Sequence, residues 1–143
     1  RVLEDQPFDL VISTHVCRGN YHSTWAARGG YLPIAPLLFA REKVHTLYLE
    51  FDDERSGGFA PLRYVSPDKT VVLGLVTTKR PDLEDPERIR ERIKEAAQYV
   101  PLSRLSLSPQ CGFASTEIGN KLTEEDQWKK IALVRDIAQT VWG

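Results

Sequence analysis

Thr70-Val71-Val72-Leu73-Gly74-Leu75-Val76 is an almost unbroken apolar run rich in β-branched residues. An amphipathic surface strand would alternate with period two, whereas a continuous run is expected of a strand covered on both faces, as in a parallel sheet. Working outward, three shorter runs share the β-branched or alternating character. They are Leu10-Val11-Ile12-Ser13-Thr14, Thr46-Leu47-Tyr48-Leu49-Glu50-Phe51 and Leu105-Ser106-Leu107-Ser108.

Helical patterns lie between and after these runs. Residues 31–42 are apolar, with Pro33 and Pro36 near the start, where proline is tolerated. Asp85-Pro86-Glu87 supplies an N-cap carboxylate, a first-position proline and first-turn acid. Ile89, Ile93 and Ala97 continue it as one apolar stripe, and Pro101 stops it. Thr123 caps a final helix opening on Glu124-Glu125-Asp126, in which Trp128, Ile131, Ala138 and Val141 are the apolar positions.

Strand, loop and helix repeated about four times are the pattern of βα units with parallel strands. A full (β/α)8 TIM barrel needs about 250 residues, and this sequence has 143. Gly29-Gly30 and Gly57-Gly58 lack the strand–turn–helix setting of a phosphate-binding fingerprint. The expected fold is therefore α/β, the C-terminal half of a TIM barrel, with residues 1–143 as one partial barrel domain. Any helix between Asp52 and Lys69 must be short.

Composition bounds the function. The sequence is 41% hydrophobic and 27% charged, with 19 basic and 20 acidic residues. That balance gives no electrostatic reason to expect nucleic acid or an anionic membrane. No apolar stretch approaches a membrane span, and Arg1-Val2-Leu3-Glu4-Asp5 does not read as a signal peptide; a cytoplasmic location is expected. The absence of Met, even at position 1, suggests a processed or truncated piece of a longer chain. Cys17 and Cys111 admit three readings: a long-loop disulfide, buried thiols, or metal and catalytic use.

In βα folds chemistry sits at the C-terminal strand ends. The first strand is followed by His15-Val16-Cys17, whose alternate side chains point to one side. The second ends at Glu50, before Asp52-Asp53-Glu54, and the fourth leads into Pro109-Gln110-Cys111-Gly112. One imidazole, two thiols and a carboxylate at strand ends suit tetrahedral zinc. Packing histidine and cysteine, or Glu50 paired with Arg55 or Arg18, would account for the same residues less specifically. His45 precedes its strand and reads as structural. Asp52, Asp53 and Arg55 read as a local ion-pair network, and Trp25, Trp128 and Trp142 as packing residues.

Four segments occur in order: His15-Val16-Cys17-Arg18-Gly19-Asn20, Leu49-Glu50-Phe51-Asp52-Asp53-Glu54-Arg55-Ser56-Gly57, Leu73-Gly74-Leu75-Val76-Thr77-Thr78-Lys79 and Ser108-Pro109-Gln110-Cys111-Gly112-Phe113. Together they resemble the C-terminal part of the cobalamin-independent methionine synthase family, most closely its short single-barrel members. The resemblance implies a (β/α)8 barrel with catalytic Zn²⁺ on His15, Cys17, Glu50 and Cys111. It implies methyl transfer from a methylated folate to the thiol of homocysteine, in methionine biosynthesis.

Such a ligand set carries a formal charge near −3, which suits activation of a sulfur nucleophile, and Glu50 is the candidate for the ligand that loosens as the thiol enters. Arg18 and Asn20 are candidate substrate contacts or supports behind the ligands. Where classical members carry Asp-x-His-Ser-Pro, this sequence reads Thr77-Thr78-Lys79-Arg80-Pro81. Lys79 is thus a candidate catalytic residue, as proton donor or holder of an anion. The alternatives are a zinc alkyltransferase for another thiol or donor, and a non-catalytic zinc-binding fragment. Its exposed strand edges would pair with a missing barrel half or with a second copy.

Overall fold

The computed structural model describes residues 3–143. Four strands, β1 (Ser13–Val16), β2 (Thr46–Glu50), β3 (Thr70–Val76) and β4 (Leu105–Pro109), form one sheet. All neighbours are parallel and the strand order follows the sequence. The crossovers contain α1 (Ala35–Arg41) after β1 and α2 (Pro86–Ala96) after β3, while α3 (Glu124–Trp142) follows β4. Between β2 and β3 there are only two 3₁₀ turns, Glu54–Ser56 and Ala60–Tyr64. This sequential parallel curl of βα units is the arrangement of half an eight-stranded barrel.

The register separates two faces. Row by row, Thr14, Leu47, Val71 and Leu105 align, as do Val16, Leu49, Leu73 and Leu107. Most of this face is fully buried with Phe39, Ile89, Ile93 and Ile137 of the helices. Each such buried branched side chain contributes roughly 1.5–3 kcal/mol of transfer free energy. The intervening rows hold Ser13, Thr46 and Thr70, then His15, Tyr48, Val72 and Ser106, then Glu50, Gly74 and Ser108. The inner face is therefore mainly polar, and its last row reaches the strand ends.

Gly74 is required where it stands. A Cβ there would lie 2.7 Å from the Gln110 Cα and 2.9 Å from the Leu49 carbonyl oxygen, both backbone. β4 slips register between Gly74 and Val76, and the Gln110 N–H donates to the Val76 carbonyl at 2.8 Å. That irregularity turns the chain so that Cys111 follows directly over the sheet's end.

The local signals at 70–76, 86–96, 105–109 and 124–142 match the observed elements. Two others move. The first strand begins at Ser13 rather than Leu10, and Leu10 and Val11 are exposed. Pairing with β2 sets its register, and the backbone N–H of Ile12 already bonds the Nδ1 of His45 at 3.1 Å. His15 therefore lies within β1, with only Cys17 beyond it.

The first helix begins at Ala35 rather than Tyr31, because Pro33 and Pro36 cannot both occupy one first turn; Pro36 takes it. The tryptophans also divide. Trp142 packs on the core, but Trp25 and Trp128 are half exposed or more. The Arg55 guanidinium lies over Trp25, and the Trp128 indole N–H donates to Glu124. α3 instead buries Lys130 and Ile137, leaving Ile131 at the surface.

Candidate metal centre

β1 and β2 place His15 and Glu50 close together, with His15 Nε2 3.8 Å from Glu50 Oε1. Cys17 follows two residues after His15. Its sulfur accepts the Gly19 N–H at 3.3 Å. Gly19 has φ 96°, and a Cβ would lie 2.6 Å from the Ala26 nitrogen, so the turn presenting that N–H needs glycine. β4 delivers Cys111, whose sulfur lies 3.6 Å from the Ser115 hydroxyl. One ligand atom from each of His15, Cys17, Glu50 and Cys111 lies within 4.8 Å of all the others.

The pair at 17 and 111 is two free thiols. Glu50 is completely buried, and its Oε1 has no hydrogen-bond partner among the described residues. A buried carboxylate oxygen without a donor is costly unless a cation satisfies it. With one imidazole, two thiols and a carboxylate converging, the residues fit a tetrahedral zinc ion in donor chemistry and in this unsatisfied atom. A side-chain hydrogen bond between His15 and Cys111 raises the imidazole above its ordinary value and lowers the Cys111 thiol to about 7. Burial pushes the Cys17 thiol up.

The residues behind this cluster hold it by hydrogen bonds. The Arg18 backbone N–H donates to Glu50 Oε2 at 3.2 Å. Its guanidinium donates to the Tyr31 hydroxyl at 2.6 Å, the Gly29 carbonyl at 2.8 Å and the Glu50 carbonyl at 3.2 Å. The Tyr31 hydroxyl in turn accepts the Glu50 N–H at 2.8 Å. Burial pushes the Tyr31 phenol up to about 12, so it remains protonated. Arg18 and Tyr31 thus fix the backbone from which the Glu50 carboxylate projects.

Asn20 connects two strand ends, donating to the Gly112 carbonyl at 2.6 Å and the Ser115 hydroxyl at 2.7 Å. Asn120 completes that network. Its amide donates to Asn20 Oδ1 and to the Thr78 carbonyl, both at 2.9 Å, and its oxygen accepts the Ser23 N–H at 2.8 Å. The Thr78 N–H donates to Gln110 Oε1 at 2.6 Å. The segments after β1, β3 and β4 are thereby tied together. Sequence reasoning gave no role to Tyr31, Gln110 or Asn120; Gln110 stands beside Cys111 in a quoted segment, and the one signal near Asn120 is the turn at Gly119, φ 63°.

Arg55 pairs with Asp53, with Asp52 at 3.1 Å and with Glu50 at 3.7 Å. This is the ion-pair network expected from the acidic run. Lys79 is buried, and its Nζ has no hydrogen-bond partner among the described residues. Burial lowers its affinity for the proton, while Asp52, Glu50 and Cys111 act in the opposite sense. A cavity of about 290 Å³, walled by His15, Tyr48, Gln110 and Cys111 among others, opens beside the sulfur cluster. No helix among the described residues is long and apolar enough to cross a membrane.

Comparison with known proteins gives the family and the fold. The family described as "Cobalamin-independent synthase, Catalytic domain" matches residues 8–139. Two uncharacterised proteins of Bacillus subtilis strain 168 are similar. YxjG is 55% identical over 141 residues and YxjH 55% over 139. The chain spans 37% of the length of each.

Among solved structures, a Listeria monocytogenes protein provisionally named a vitamin-B12 independent methionine synthase superposes with TM-score 0.75 at 43% identity. That match covers 99% of this chain and 38% of that one. A B12-independent methionine synthase from Shewanella sp. W3-18-1, solved with selenomethionine, superposes with TM-score 0.73 at 16% identity. It covers 93% of this chain and 39% of that one, and shares the fold. The chain belongs to the cobalamin-independent synthase catalytic-domain family, that of the methionine synthase-like proteins.

Proposed function

We propose that this chain carries the zinc half of a methyltransferase barrel, acting on a thiol of the homocysteine type with a methylated folate or related donor. The observation that carries the reading is the convergence of His15, Cys17, Glu50 and Cys111 at or near the ends of β1, β2 and β4, with a Glu50 oxygen that has no hydrogen-bond partner among the described residues. Zinc held there would supply a Lewis acid that keeps a bound thiol in its nucleophilic, deprotonated form.

The protein's own groups supply the rest. Arg18 and Tyr31 hold Glu50 in place through its backbone, and the Arg18 N–H also donates to its carboxylate. Asn20 and Asn120 keep the Cys17 and Cys111 segments at a fixed separation. The cavity beside Cys111 leaves room for the acceptor. His15 and the two thiols bind metal as the neutral imidazole and as thiolates, so affinity falls as pH drops through their proton-binding range.

The polar inner face and the relatives' greater length support a further reading of the domain. The segment is the later part of a barrel, with the donor and the acceptor's amino-acid end held by residues of the other part. Purified zinc-loaded protein assayed for methylation of homocysteine tests the function. Product with a methylated folate supports the methionine synthase reading. Product only with another donor or thiol supports the related alkyltransferase, and zinc binding with no transfer supports a binding fragment.

A further inference from the structure

Two anionic groups of the cluster take a backbone hydrogen bond: Cys17 Sγ from the Gly19 N–H at 3.3 Å and Glu50 Oε2 from the Arg18 N–H at 3.2 Å. Cys111 Sγ has a side chain beside it, the Ser115 hydroxyl at 3.6 Å. A hydroxyl can donate or accept, so its direction follows from its other partner.

Two amides set that direction from outside the cluster. Asn120 Oδ1 accepts the Ser23 N–H at 2.8 Å, which leaves its NH2 group to donate to the Thr78 carbonyl and to Asn20 Oδ1, both at 2.9 Å. Asn20, its oxygen so occupied, turns its NH2 group to the Gly112 carbonyl at 2.6 Å and to Ser115 Oγ at 2.7 Å. Reversing either amide would set an oxygen against a carbonyl oxygen. The relay is thus anchored on backbone groups whose roles are fixed, the Ser23 N–H as donor and the Thr78 and Gly112 carbonyls as acceptors. Ser115 Oγ accepts from Asn20, and its own proton is left for the acceptor beside it, Cys111 Sγ.

We propose that Ser115 is a positioning residue of the metal centre, whose hydroxyl, steered by Asn120 and Asn20, donates to the Cys111 sulfur and makes this ligand the poorer nucleophile. A hydrogen bond to a thiolate draws off charge and is weakened when the sulfur attacks an alkyl group. The methyl group is thereby directed to the bound acceptor thiol and away from the protein's own sulfur, as the Gly19 N–H does for Cys17. This role rests on the zinc reading above and deepens it.

Alkylation of zinc-loaded protein tests it, with Cys17 as the internal control because its Gly19 donor is backbone. Wild type, Ser115→Ala, Ser115→Thr and Asn20→Asp are treated with iodoacetamide, and both thiols are followed by peptide mass spectrometry. Metal content and the sulfur–cobalt charge-transfer band of cobalt-loaded samples are read alongside. Wild type and the serine variants should hold ~1 metal per chain. In Ser115→Ala, Cys111 should be alkylated roughly threefold faster or more, with Cys17 unchanged and the cobalt band moved to longer wavelength. Ser115→Thr keeps the hydroxyl and should match wild type. The carboxylate of Asn20→Asp can only accept, so it takes the hydroxyl proton for itself and Cys111 should speed up as in Ser115→Ala.

A Cys111 rate within about twofold of wild type in Ser115→Ala would overturn the assignment. So would a rise shared equally by Cys17, or loss of metal from Ser115→Ala, either of which would make Ser115 a support for the loop alone. Asn20→Asp at the wild-type rate would overturn the steering by Asn20. If Ser115→Ala does not fold, Ser115→Val is set against Ser115→Thr, which has the same shape. Wild-type protein that takes up neither zinc nor cobalt overturns the metal reading itself.

Discussion

Lys130 beneath α3 and Lys79 at the strand ends are both withdrawn from water, and their surroundings differ in kind. Lys130 Nζ donates to the Asp82 carbonyl at 2.6 Å and lies 3.1 Å from Glu84 Oε2. The same carboxylate accepts the Thr77 N–H at 2.8 Å, so the pair pins the segment leading from β3 toward Lys79. Lys79 Nζ has no such partner among the described residues. A satisfied buried charge contributes to architecture, whereas an unsatisfied one costs stability.

Lys130→Met should break this comparison with the largest effect. Glu84 would be left partly buried and unpaired, and unfolding free energy should fall by about 3 kcal/mol. Urea denaturation reads that change, and a loss below about 0.5 kcal/mol would show the pair to be incidental. Lys79→Met should be neutral or stabilising by up to about 1 kcal/mol in the metal-free chain, since it removes an unsatisfied buried ammonium. A clear fall in its denaturation midpoint would make the two lysines alike, both structural.

Much of this contrast was invisible in the sequence. Lys130 sits in a charged helix beside Lys129, and nothing local distinguishes the lysine that pairs with Glu125 in solvent from the one drawn inside. The apolar stripe read through Trp128 and Ile131 was misplaced for that reason. β3, α2 and β4 were legible because their signals are local: a buried strand composition, an Asp-Pro cap and a short alternating run. β1 was displaced because an edge strand takes its register from its partner, which a run of apolar residues does not encode.

At the site the outcome was reversed. His15, Cys17, Glu50 and Cys111 could be named because strand-end position and ligand type coincide, and resemblance to a known family identified the same residues. Asn20 was singled out from its place beside the ligands. Its partner Asn120 lies a hundred positions away, and only the fold brings the two amides to 2.9 Å.

A smaller effect separates the two thiols. Cys17 is the more exposed, but its thiol is pushed up by burial of the sulfur, while hydrogen bonding to His15 brings Cys111 to about 7. In metal-free protein at pH 7, Cys111 should react with iodoacetamide several-fold faster than Cys17, as read by peptide mass spectrometry. Lowering the pH well below 7 should slow Cys111 as its thiolate is protonated. Faster labelling of Cys17 would mean that exposure, not thiolate content, governs the pair.

The metal content of purified protein tests the central claim most directly. After dialysis against zinc and then zinc-free buffer, wild type should retain ~1 zinc per chain, and Cys17→Ser and Cys111→Ser should each retain less than ~0.1. Absence of zinc from wild type, or full retention in either serine variant, would contradict the assignment of this cluster as the metal centre.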